Sequence, residues 1–130
     1  MSRLKNLFKR DRNKLVVFIT AGFPKKESTE ELVLQAIEGG ADMIEIGIPF
    51  SDPQADGPIL QKASEIALSN GISLSIIFDQ VRSIRKKTDI PIALMGYYNP
   101  ILAYGIDNFL NDCKTSQICL LYTSPSPRDT

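Results

Sequence analysis

Short apolar runs alternate along this chain with stretches of helical period. Leu15-Val16-Val17-Phe18-Ile19 is unbroken, rich in β-branched residues, and stops at Gly22-Phe23-Pro24. A run without in–out alternation suits a strand covered on both faces. Before it, from Ser2 to about Arg12, Leu4, Leu7 and Phe8 fall on one side, with Lys5, Lys9, Arg10 and Arg12 on the other. That spacing predicts a short helix. After it, Ser28 and Glu31 have the spacing of a capping box, Val33, Ala36 and Ile37 form an inner stripe, and Gly39-Gly40 ends the helix. A second strand is expected over Met43 to Ile48. A proline-bearing loop follows, and Pro58 suits the first position of a third helix. Its stripe is Ile59, Ala63, Ile66 and Ala67, and Asn70-Gly71 ends it. Another helix runs from near Ser73 to Arg85-Lys86-Lys87, its basic last turn facing the negative end of the helix dipole. The third strand is Pro91 to Met95, and a short helix covers Asp107 to Asp112.

The order is a helix, then β-α, β-α-α and β-α. Such alternation predicts a parallel sheet packed against helices. It leaves two closures open, a doubly wound sheet or a barrel. The lack of Gly-x-Gly-x-x-Gly after the first strand counts against a dinucleotide-binding sheet.

Composition narrows the function more than the fold. Fifteen basic and fifteen acidic residues cancel, so bulk charge favours neither nucleic acid nor anionic lipid. No apolar run approaches the roughly 20 residues that span a bilayer. The first residues lack the apolar stretch of a signal peptide, so a cytoplasmic protein is expected. The chain has no His, so acid–base chemistry falls to carboxylates, Lys or Tyr. Cys113 and Cys119 match no metal or redox spacing and read as free thiols.

The second strand carries the most information. Side chains alternate along a strand, so Ile44, Ile46 and Ile48 face one way and Met43, Glu45 and Gly47 the other. Helices would cover the isoleucine face. Glu45 then points to the opposite face, the interior of a barrel, near the strand's C-terminal end, where barrel enzymes build their sites. A carboxyl group held away from water can give and take protons near neutral pH. A structural Glu paired with Lys or Arg fits the pattern equally well. In the following loop, spacing alone makes Asp52 a turn residue before Pro53. Asp56 reads as negative charge at a helix N-terminus.

The run from Met43 to Pro58, Met-Ile-Glu-Ile-Gly-Ile-Pro-Phe-Ser-Asp-Pro-Gln-Ala-Asp-Gly-Pro, closely resembles the signature of tryptophan synthase α chains. Phe18 to Pro24 resembles that family's first strand and turn. Met95 to Pro100, with Tyr104-Gly105-Ile106 after it, resembles its third strand and exit. The resemblance implies an N-terminal fragment of a (β/α)₈ TIM barrel with about three βα units over residues 1–112. It also implies a lyase of tryptophan biosynthesis, which splits indole-3-glycerol phosphate into indole and glyceraldehyde 3-phosphate by a retro-aldol step. By the same resemblance Glu45 is the acid–base residue, and Asp56 is the carboxylate that accepts from the indole N–H. Phe18 and Tyr97 line the indole pocket, though ordinary core would suit each nearly as well. Asp52, Pro53, Asn99 and Pro100 resemble surfaces that meet the β chain in an α₂β₂ assembly. No metal or organic cofactor serves this half-reaction in the family; pyridoxal phosphate belongs to the β chain.

Residues 113–130 differ in character. Thr115 to Tyr122 could make a strand, but Ser124-Pro125-Ser126-Pro127 cannot continue a βα unit, because proline removes backbone donors. This end reads as frame-shifted, foreign or disordered, and outside the fold. A full barrel needs roughly 250 residues, and its phosphate loops follow late strands. The chain as it stands is therefore expected to lack lyase activity. Two rivals remain, a non-catalytic module that binds or activates the β chain, and another barrel lyase with the same front half.

Overall fold

The computed structural model describes residues 2–9, 13–51 and 56–124. Helix α1 (Ser2–Lys9) leads into β1 (Val16–Thr20), α2 (Ser28–Glu38) and β2 (Met43–Gly47). Two helices follow, α3 (Pro58–Ser69) and α4 (Leu74–Arg85), then β3 (Ile92–Tyr97). Helices α5 (Tyr98–Tyr104) and α6 (Ile106–Thr115) lead to β4 (Leu120–Ser124). The strands form one parallel sheet in the order β1-β2-β3-β4. Three βα units are thus followed by a fourth strand.

The alternation expected of β2 decides the layering. Ile44 and Ile46 are fully buried, and they join Ile19, Ile92 and Leu94 from the neighbouring strands in one core. Val33 of α2, Ala67 of α3, Phe78 and Val81 of α4, and Phe109 of α6 complete it. Phe78 meets Phe109 edge-on, ring centroids 5.5 Å apart, a favoured aromatic geometry. The opposite face carries a smaller cluster, Leu7 of α1 with Met43 and Ala93. Helix α1 therefore plugs the inner face at the start of the strands, and the inner face above it is left for other work.

Several local expectations change on contact with tertiary structure. Ser28 is not a cap. Glu27 holds that position without a side-chain bond, while the Ser28 hydroxyl accepts from the Lys25 N–H at 3.1 Å and closes the preceding turn. Glu31 instead pairs along the helix with Gln35, whose amide donates to it. Ile59 does not belong to the buried stripe of α3. It is 85% exposed, because the first turn of α3 stands at the free edge of β1, in a groove shared with Val17 and Phe23. Ser73 does cap α4, its hydroxyl accepting from the Ile76 N–H.

Two larger corrections fall after β3. Tyr98–Tyr104, for which no helix was expected, is one. Pro100 sits in the first turn, where backbone N–H groups have no intrahelical partner in any case. Gly105, at φ 98°, separates it from α6. Residues 113–124, set outside the fold on composition, have a place in it. Helix α6 runs through Cys113 to Thr115, Ser116 is buried, and β4 pairs with β3 from Ala93↔Leu120 to Tyr97↔Ser124. The prolines that weighed against a further βα unit come only after the last residue of β4. Residues 10–12 of the first expected helix and 125–130 of the tail lie outside the described residues.

Candidate active site

The parallel register sets Phe18 of β1, Glu45 of β2 and Ala93 of β3 side by side. One step towards the C-terminal ends, Thr20, Gly47 and Met95 are level. In-register neighbours share a face, so all six belong to the inner face with Tyr97. Glu45 is therefore on the side away from the helical layer, half-buried between the plugged bottom and the open top.

Above it a small cavity of about 30 Å³ is lined by Phe18, Thr20, Gly47, Asp56, Leu60, Ser64, Met95 and Tyr97, among others. It thus gathers three of the four residues expected in the reaction site, Phe18, Asp56 and Tyr97. Glu45 is not in its wall and stands one step deeper on the same face, before Gly47. Burial raises the Asp56 carboxyl above its ordinary value, since removing a carboxylate from water disfavours its charge. The Tyr97 ring rests against Phe50, centroids 5.3 Å apart, which ties the end of β3 to the loop leaving β2.

Glycine at 47 is required by Phe18. A methyl group there would lie 2.5 Å from the Phe18 Cζ atom, so only a residue without a side chain lets the ring lie across β2. The Glu-Ile-Gly triplet carried that signal, but nothing in the sequence said which ring filled the gap. Thr20, Ser64 and Met95 were missed as lining residues, since a helix position such as Ser64 gives no sign that its turn overlooks a strand end.

The turn after β1 is held from two sides. The Thr29 hydroxyl accepts from the Gly22 N–H at 3.0 Å. The Asn70 amide donates to the Gly22 and Pro24 carbonyls at 3.0 and 2.8 Å. Asn70, expected only to stop a helix, also fastens the rim of the site.

Asn99 and Pro100 line a separate apolar groove of about 600 Å³, beside Pro49, Phe50 and Ser51. Asp52 and Pro53, expected on the same surface, lie outside the described residues. Among the described residues no group of three His, Cys, Asp or Glu side chains is placed to hold a metal ion. No helix among them is long and apolar enough to cross a membrane.

A parallel sheet with helices on one face and a plugged inner bottom is the geometry of a partial (β/α)₈ barrel. Comparison with known proteins narrows that class. The family described as "Tryptophan synthase alpha chain" matches residues 4–125, past the boundary at 112 drawn from the resemblance. The chain belongs to this family. A tryptophan synthase alpha chain of Christiangramia forsetii is 43% identical over 129 residues, 99% of this chain and 50% of its own length. One from Geotalea daltonii is 51% identical over 122 residues, 91% and 46% of the two chains. The crystal structure of tryptophan synthase subunit alpha from Legionella pneumophila superposes with a TM-score of 0.89 at 38% identity, covering 98% of this chain and 50% of that one. A chain of the tryptophan synthase complex from Pyrococcus furiosus gives 0.81 at 42% identity, covering 88% and 48%. The chain spans about half the length of the curated relatives it matches.

Proposed function

We propose that the barrel whose first part this chain forms cleaves indole-3-glycerol phosphate to indole and glyceraldehyde 3-phosphate. In this reading the Glu45 carboxyl delivers a proton to the indole C3 carbon and removes one from the side-chain hydroxyl. The carbon–carbon bond between them breaks, and the hydroxyl carbon leaves as an aldehyde. Asp56 accepts from the indole N–H and steadies the positive charge that develops on the ring. Phe18 and Tyr97 flank the indole. The observation that carries the reading is the convergence of Asp56, Phe18 and Tyr97 on one cavity, with Glu45 just below on the same face. The raised Asp56 carboxyl supports it, since a group poised to exchange charge with a ligand is kept partly dry. No cofactor is needed for these steps.

The partner in this reading is the tryptophan synthase β chain, met through the groove at Asn99 and Pro100 and through Asp52 and Pro53. The working compartment is the cytoplasm. That same groove favours one rival, an activating module without chemistry of its own.

The test is a barrel completed with the C-terminal half of a relative, assayed for indole release. Glu45→Gln is expected to lower kcat by about 10²–10⁴-fold, the usual contribution of a positioned acid–base group, with Asp56→Asn also strongly impaired. Full turnover in both variants would sink the reading. Undiminished β-chain activation by an Asp56→Asn variant that releases no indole would favour the activator alone.

A further inference from the structure

We propose that Gln61 is a positioning residue, one that sets the place from which the Asp56 carboxylate enters the site. The proposal rests on the reading of Asp56 given above and asks what holds that residue in place.

Asp56 and Gly57 stand just before α3. Gly57 is the N-cap and offers no side-chain oxygen to the first turn. A side chain built on Gly57 would meet nothing within 4 Å, so packing there does not restrain the peptide. Glycine is also the residue whose backbone is least restrained by itself. The junction carrying Asp56 therefore needs an outside hold.

Gln61 supplies it twice. Its backbone N–H donates to the Gly57 carbonyl at 2.9 Å, as helix geometry requires. Its side-chain Nε2 reaches back to the Asp56 carbonyl at 2.7 Å. A carbonyl held in direction fixes the plane of the Asp56–Gly57 peptide, and with it the position of the Asp56 Cα from which the side chain departs. Pro58 stiffens the next residue, with φ locked by its ring. Asp56 is thus clamped on the helix side while it lines the cavity with Phe18, Thr20 and Tyr97.

Other titratable groups lie nearby. Tyr97 reaches the same cavity from β3, and Glu45 lies lower on β2. Lys62 and Glu65 of α3 approach each other at the surface, 4.0 Å apart. The dry setting of the Asp56 carboxyl is consistent with a side chain kept aimed inward.

Gln61→Met tests this, being unbranched, similar in length and a good helix former, but without a donor. In the chain as it stands, carbon-13 NMR of the Asp56 carboxyl follows its titration. The variant is expected to titrate lower, towards an ordinary aspartate, because the released carboxylate reaches water, while amide signals beyond the α3 start stay in place. In the completed barrel, kcat is expected to fall about fivefold to tenfold, the range one hydrogen bond of ordinary strength controls, with KM little changed. In an Asp56→Asn background the same substitution should add nothing. An unmoved Asp56 titration, or equal kcat losses with and without Asp56, would overturn the proposal. Full turnover in Asp56→Asn itself would overturn both this proposal and the reading beneath it. An inactive Asp56→Asn beside a fully active Gln61→Met would remove the positioning role alone.

Discussion

The two faces of the sheet use the same four strands for opposite ends. On the helix-covered face Ile44, Ile46, Ile92 and Leu94 have no exposure at all. On the inner face Phe18, Glu45, Met95 and Tyr97 are only half-buried. One face is uniformly apolar and close-packed, the other mixes rings, a carboxylate, a hydroxyl and a glycine. Stability comes mainly from the first, since removal of apolar surface from water is the dominant favourable term. The proposed chemistry draws on the second, where groups are partly dry but can still meet a ligand. A residue's role here follows from the parity of its strand position.

That contrast can be broken by substitution. The largest expected effect is on the covered face. Phe78 is fully buried and meets Tyr104 and Phe109, so Phe78→Ala should cost about 3–5 kcal/mol. A urea titration measures it, and a loss under about 1 kcal/mol would show that the helical layer is not the main support. On the inner face Gly47→Ala forces a methyl group against the Phe18 ring. Because Phe18 is half-buried, the ring can swing aside. The expected cost is about 1 kcal/mol, the low end for overpacking, with a larger effect on ligand binding. The chain has no Trp, so fluorescence of added indole reports that binding against a low background.

The smallest effect sharpens the comparison most. Burial raises the Asp56 carboxyl, so the folded chain keeps that proton to higher pH than the unfolded chain. Its contribution to stability is full below the unfolded value, about 3.9, and is lost as pH rises through the folded value. Asp56→Asn stays neutral throughout. It should therefore be at least as stable as the parent near pH 7, with the difference vanishing below about pH 4. Thermal melts at both pH values check this, and a clear loss at pH 7 would mean that the charged carboxylate supports the fold.

Much of the fold was legible because it depends on local pattern. The β-branched runs made strands, Pro58 opened α3, α4 began after Ser73, and the Ile-x-Ile-x-Ile alternation of β2 divided the faces. Failures came where a neighbour overrode the pattern. Ser28 had the spacing of a cap but was taken by the turn behind it. Ile59 had the spacing of a core residue but met a sheet edge. The helix at Tyr98–Tyr104 went unforeseen because proline's tolerance in a first turn depends on where that turn begins. Cys113 to Ser124 were set outside the fold although a strand was allowed there, because local pattern does not show that this strand pairs with β3.

For the site, the sequence alone determined which face Glu45 takes, since side-chain parity is a property of any strand, and it marked Asp56 as an acid at a helix entrance. The resemblance of the Met43–Pro58 run supplied their proposed roles. Only the tertiary structure decided that Asp56, Phe18 and Tyr97 meet around one cavity, that Gly47 exists for the Phe18 ring, and that Gln61 and Asn70 hold the rim. Those relations join residues from different strands and helices, and their distances are set by register and packing, which no local pattern encodes.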